Sequence, residues 1–199
     1  LTDRSANSTA KLLEHKKSFS NFALETNTIS SDNLKINNDF TIISYSRIAP
    51  EKNIEISIMA FSKANISNKK LIIMGLKVDN NYFNQLMKLI KKLNLINKVE
   101  FKINVAEEVA ISNLLSSNAF ICSDICDFNL STYKAISLGL PVVVSAGYDF
   151  NKDIFKNNFI ISNNYNSTEM AKSLEKVSQT EIKQSYFSSE KYTFKNYIT

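Results

Sequence analysis

The chain is poor in the residues that most site chemistries require. Histidine occurs once, cysteine and proline twice each and glycine three times in 199 residues. One histidine (His15) and a single Cys-x3-Cys spacing (Cys122, Cys126) do not make a zinc site, which takes a tetrahedral set in paired spacings. The two thiols make no disulfide framework and suit a reducing compartment. A Ser-His-Asp triad would rest on His15 alone, which lies in a polar stretch and reads as solvated. Gly75, Gly139 and Gly147 lack the spacing of a dinucleotide-binding fingerprint. The longest apolar stretch, Ala135 to Ala146, is interrupted by Gly139 and Pro141 and is too short to span a bilayer. The opening residues are polar and show no secretion signal.

What is present suits a globular domain. Hydrophobic residues make up 44% of the chain and charged residues 22%, enough to fill a core. Asn, Lys, Ser and Ile are abundant, which reads as compositional bias. The net charge is +5, and Lys88, Lys91 and Lys92 share one face of a helix. That face is either a solvated surface or a weak docking patch for an anionic membrane, where each Lys contributes about 1 kcal/mol. No helix-turn-helix, zinc-finger or RNA-sheet motif accompanies the charge, so nucleic acid is not an expected partner.

Ser5–Glu14 reads as a helix, and residues 16–39 as a connecting segment with one short strand near Phe22–Leu24. Beyond it, short apolar runs alternate with helical periodicity. Strands are expected at Phe40–Tyr45, Leu71–Met74, Val99–Ile103, Ala119–Cys122, Pro141–Val144 and Phe159–Ile161. Helices are expected around Ile54–Phe61, Phe83–Leu93, Val109–Leu115, Leu130–Leu138 and Thr168–Val177. A short helix at Ile154–Phe155 and a terminal one over Ile182–Ile198, with aromatic anchors from Tyr186 to Tyr197, complete the pattern. Such alternation makes βαβ units, and right-handed crossovers wind them on both faces of a parallel sheet. The expected fold is α/β, a doubly wound, Rossmann-like parallel sheet.

In that architecture ligands sit beyond the carboxyl ends of the strands, where the strand order reverses. With strands ordered 3-2-1-4-5-6, the trailing loops of the first and fourth strands meet there. The first loop, Ser46-Arg-Ile-Ala-Pro-Glu-Lys-Asn53, offers Arg47 as a fork for phosphate oxygens and Lys52 as a point charge. The second ends at Asn129, Ser131 and Thr132, which can start a helix whose free amides suit a phosphate. Together they could form a diphosphate cradle. Equally, Arg47 and Lys52 could pair with Glu51 or Asp127 on the surface. Ser131-x-x-Lys134 has the spacing of an acyl-enzyme pair, but its partner motifs are absent. Cys122, at a strand end, reads as a buried packing thiol.

These motifs resemble the C-terminal, nucleotide-sugar donor-binding half of a GT-B glycosyltransferase of the family 4 type. Ser46–Asn53 resembles that family's Gly-Arg-Leu-x-Pro-Glu-Lys-Gly loop, with Ser46 and Asn53 at the glycine positions. Leu71-Ile-Ile-Met-Gly75 is similar to its next strand and terminal Gly. Asn113–Phe120 is similar to the stretch before the fourth strand. Ala135-Ile-Ser-Leu-Gly-Leu-Pro-Val-Val143 resembles its Ala-Met-Ala-x-Gly-x-Pro-Val-Val, and Asn158–Ile161 matches a later region loosely. The likeness runs from Phe40 to the end of the chain.

The resemblance implies a metal-free and cofactor-free hexosyltransferase that moves a sugar, with retention, from a nucleotide-diphosphate donor to a glycan or lipid-linked acceptor. It places the diphosphate on Arg47, Lys52, Asn129, Leu130 and Ser131, the ribose near Lys134, and Arg47, Lys52 and Asp127 at the catalytic centre. It implies that residues 1–39 are the remnant of a mostly missing N-terminal domain plus a connecting segment, that 40–180 form the donor domain and that 181–199 form the C-terminal helix. It further implies a cytoplasmic protein working in surface polysaccharide or glycolipid assembly, peripheral to the inner membrane face. The departure is the family's Glu-x7-Glu pair, which is Cys126 and Lys134 here. A thiol near neutral pH and a donor-only ammonium cannot replace carboxylate acceptors. Asn129, at a glycine position, narrows the room for a sugar. Asp124 or Asp127 either stands in for the first Glu or is a solvated loop or cap residue. The loss of both carboxylates implies the alternative of a catalytically silent subunit that binds a protein or glycan.

Overall fold

The computed structural model describes residues 39–125, 129–145, 160–163 and 166–180. The expectations for Ser5–Glu14, Phe22–Leu24, Ile154–Phe155 and Ile182–Ile198, and the side chains of His15, Cys126 and Asp127, lie outside these residues. Strands β1 (Phe40–Tyr45), β2 (Lys69–Gly75), β3 (Val99–Ile103), β4 (Ala119–Cys122), β5 (Val142–Ser145) and β6 (Ile160–Asn163) alternate with helices. These are α1 (Ile54–Lys63), α2 (Asn80–Lys92), α3 (Glu107–Leu115), α4 (Leu130–Ser137) and α5 (Ser167–Gln179). The sheet has six strands in the order β3-β2-β1-β4-β5-β6, and every neighbouring pair is parallel. The α/β doubly wound sheet expected from the alternation is therefore the fold. Its switch point lies between β1 and β4.

Alternation along each strand divides the core in two. Ile42, Leu71, Ile73, Ala119, Ile121 and Val143 pack with Phe61 of α1, Leu86 of α2 and Leu174 of α5 on one face. Ile43, Ile72, Met74, Phe120, Val142 and Val144 pack with Leu114 of α3 and Ile136 of α4 on the other. At the β3 edge the interior gives way to charge. Glu100 pairs with Lys70 and Lys102, and charges of this kind discourage pairing with a further strand.

Two local devices place the loop that follows β1. Gly75 ends β2 with φ +150, and a Cβ there would lie 1.8 Å from the backbone oxygen of Ser46. Only glycine lets the chain at Ser46 cross so close. Ser46 then donates its backbone N–H to the Met74 carbonyl at 3.0 Å, and Ile48 to that of Leu76 at 2.8 Å. Next, Pro50–Lys52 form one 3-10 turn, and Asn53 takes a left-handed conformation (φ 48, ψ 40) to start α1. Asparagine tolerates that conformation better than other side chains. Asn68, Asn94 and Asn104 do the same elsewhere, so in a chain of few glycines the asparagines make left-handed corners.

The first turn of α1 is latched from α2. Tyr82 accepts the Ile54 N–H at 2.7 Å and donates its hydroxyl proton to Glu55. Burial first, and the Glu55 hydrogen bond second, raise the Tyr82 phenol well above its ordinary value. The far end of α1 is closed by Lys69, whose ammonium donates to the Phe61 carbonyl at 2.5 Å and to that of Ala64. Burial lowers the pKa of this lysine. Lys88, Lys91 and Lys92 are all exposed, as either reading of that face requires. Among the described residues, no helix is long and apolar enough to cross a membrane.

Candidate functional site

The trailing loops of β1 and β4 meet over the switch point, and their meeting place is organised by Asp124. This carboxylate is 1% exposed and forms an ion pair with Lys52 at 2.9 Å; the lysine side chain is itself 15% exposed. The Asn129 side-chain amide donates to the same Asp124 oxygen at 3.0 Å, and the Cys122 thiol donates to the other oxygen at 3.0 Å. The Ser145 hydroxyl, from the end of β5, donates to the Asp124 carbonyl. Asp124 thus ties together the ends of β4 and β5, the turn after β1 and the start of α4. It is neither solvated nor a helix cap.

Asn129 is that cap. Its Oδ1 accepts the backbone N–H groups of Ser131 at 2.9 Å and Thr132 at 3.3 Å, which are among the free amides of the first turn. Beneath them the Thr132 hydroxyl is fully buried, with no hydrogen-bond partner. Leu130 is 48% exposed and lies at the rim with Ile125, 62% exposed. On the other side of the loop contact, the Ser57 hydroxyl of α1 donates to that of Ser123 at 2.8 Å, and Ser123 donates to the Asn53 carbonyl at 2.7 Å. A polar seam thereby fastens the first turn of α1 to the end of β4.

The sequence-derived residues divide into separate groups. Lys52 and Asn129 come together through Asp124, with Leu130 and Ser131 beginning the helix that Asn129 caps. Arg47 instead pairs with Glu51 at 2.9 Å, both side chains being more than half exposed. This is the surface pairing that the sequence left open for Arg47, whereas Lys52 turns inward to Asp124. Lys134, in the last turn of α4, forms an ion pair with Glu107 at the start of α3, so its ammonium faces a carboxylate of the neighbouring helix. Asp127 and Cys126 are not among the described residues. No group of three or more His, Cys, Asp or Glu that could hold a metal occurs among those that are.

Sequence reasoning left two participants without their roles. Asp124 was one of two acidic candidates in its loop, and its partner Lys52 lies 72 positions away. Its only sequence signal is its place, two residues past a short apolar strand at the switch point. Tyr82 sits among the apolar positions of α2, and nothing nearby announces its hydroxyl's partners on α1.

The fold is shared with solved glycosyltransferases. HepE from Anabaena, crystallised with UDP and glucose, is 21% identical with a TM-score of 0.64, over 76% of this chain and 42% of that one. The pneumococcal O-GlcNAc transferase GtfA, crystallised with UDP and GlcNAc, is 16% identical with a TM-score of 0.62, over 79% of this chain and 33% of that one. A glycosyltransferase from Rickettsia africae is 17% identical with a TM-score of 0.65, over 94% of this chain and 45% of that one. The chain thus spans less than half the length of each of these three. No curated protein sequence matches it significantly. The family model "Glycosyl transferases group 1" matches residues 25–194, most of the chain, and its C-terminal, GT-B-type fold agrees with these neighbours. The chain belongs to the group 1 glycosyl transferases.

Proposed function

We propose that this chain is the donor-binding half of a glycosyltransferase, holding a nucleotide-diphosphate sugar at the switch point. The observation that carries this reading is the meeting of Lys52 with Asn129, the cap of α4, on Asp124 at the junction of β1 and β4. A diphosphate there would find an ammonium, the Asn129 amide and the positive end of a helix. Arg47 lies one loop residue from the bridge that ties Ile48 to Lys77. Its exposed pairing with Glu51 is worth only about 0.2–1 kcal/mol, so the guanidinium is released to a phosphate at small cost.

In this reading Arg47 and Lys52 stabilise negative charge as it develops on the leaving diphosphate. Asn129, Leu130 and Ser131 line the phosphates, Asp127 contacts the donor sugar and Lys134 lies near the ribose. Transfer is retaining, to a glycan or lipid-linked acceptor, and residues 40–180 form the donor domain. Residues 1–39 join an acceptor domain of about 150–200 residues, and the chain works peripherally at the cytoplasmic membrane face. The UDP bound to HepE and to GtfA makes a uridine nucleotide the first donor to try.

A second reading, a catalytically silent subunit, is favoured by one observation: Arg47, Lys52 and Lys134 are each paired with a carboxylate of the chain itself. Thermal unfolding with and without UDP, GDP or ADP separates the two. A nucleotide that raises Tm in the wild-type chain, and does so at least several-fold less effectively in Arg47→Ala, supports the donor site. No shift with any nucleoside diphosphate refutes it and leaves the silent subunit.

A further inference from the structure

We propose that Asp124 is a built-in counter-ion of the anion site, a positioning residue that holds Lys52 and Asn129 in place and weakens ligands in proportion to their negative charge. The proposal rests on the reading that a nucleoside diphosphate enters between β1 and β4. A carboxylate that is 1% exposed is tolerated only with compensating charge and hydrogen bonds. Here the compensation comes from groups that a phosphate would use. Lys52 supplies the charge at 2.9 Å and Asn129 an amide at 3.0 Å. The other end of that amide caps Ser131 and Thr132, so the ammonium and the helix start are linked through one anion.

Among the described residues of the two loops the charges also cancel. Arg47 is matched by Glu51 and Lys52 by Asp124, which leaves the two loops without the surplus positive charge that an anion site has. Asp124 is not placed to swing away. The Cys122 thiol holds one carboxylate oxygen at 3.0 Å, and Ser145 holds its backbone carbonyl. A phosphate that reaches Lys52 therefore shares the ammonium with a fixed carboxylate, and like charges so close repel strongly where water is scarce. Orientation and repulsion act in opposite directions on binding, and only the repulsion depends on the ligand's charge.

Calorimetric titration of the full chain with UDP, UMP, uridine and inorganic pyrophosphate tests this. Asp124→Asn keeps the shape and an acceptor but removes the charge; Asp124→Ser is a smaller second variant. In either variant the affinity for UDP and pyrophosphate should rise by roughly tenfold, and that for UMP by less. Uridine should be unaffected. Wild-type binding of UDP with no gain, or a loss, in both variants overturns the role of Asp124 and leaves the donor site standing. Failure of both variants to fold also overturns it, because Asp124 is then a structural support. Folded wild-type and variant chains that bind neither pyrophosphate nor any nucleoside diphosphate overturn this proposal and the donor site together.

Discussion

Tyr82→Phe removes a single oxygen from a latch between α2 and the first turn of α1. The change leaves the ring in place, and with it the burial of a side chain that is 6% exposed. What is lost is the acceptor for the Ile54 N–H at 2.7 Å and the donor to Glu55. A hydrogen bond to a charged group contributes about 1.5–3 kcal/mol, and a buried amide left without a partner costs about 1–3 kcal/mol. Glu55 is only partly buried and recovers water, so the expected loss is about 2–3 kcal/mol. Urea unfolding reads this directly as a fall in midpoint of about 1 M at unchanged slope. The phenol adds a pH signature. Its pKa is raised in the folded chain above the ordinary 10.0, by burial and then by Glu55. The folded chain therefore keeps a proton that the unfolded chain loses. That contribution is complete below pH 10 and declines as the pH climbs above it, a component that Tyr82→Phe should lack. A midpoint shift under about 0.25 M, or identical alkaline profiles for the two proteins, would refute the latch.

Two further substitutions test the loop placement and the buried hydroxyl. Gly75→Ala drives a methyl to 1.8 Å from the Ser46 backbone oxygen; it should cost at least about 3 kcal/mol and lower Tm by about 10 °C, and a mutant melting with the wild type would contradict the close crossing. Thr132→Val replaces an unpartnered buried hydroxyl with a methyl of the same shape; stability should stay level or rise by up to about 1 kcal/mol, and a loss larger than that would reveal a partner for the hydroxyl.

The layered architecture was legible because each strand carries a short apolar run with a breaker behind it. β1, β3 and β4 match their expected limits. β5 begins one residue late, at Val142. Pro141 has no N–H to give the ladder, although its carbonyl accepts from Phe120 at 2.8 Å. β2 and β6 each run longer than their apolar letters, since parallel pairing extends over polar ends such as Lys69 and Asn163. α2 starts at Asn80, ahead of its apolar stripe, because Asp79 accepts the Tyr82 N–H at 2.8 Å and caps it. At the site, the loops could be named from topology and Lys52 from its charge. The inward turn of Asp124 could not, since burial of this carboxylate depends on donors from the turn after β1, the end of β4 and the cap of α4. Arg47 resisted for the opposite reason: Glu51, four positions on, is always within its reach.

Asparagine at the left-handed corners has a consequence for how the molecule tolerates change. Glycine at residue 53 would relax the folded corner but would also widen the wandering of the denatured chain, and the two effects oppose each other. Replacing Asn53 with a β-branched residue has no such offset, because the corner itself then becomes strained. Evolvability at this hinge is therefore narrow: amide or hydrogen, and little else, keeps the following helix aimed at the neighbouring strand's tip.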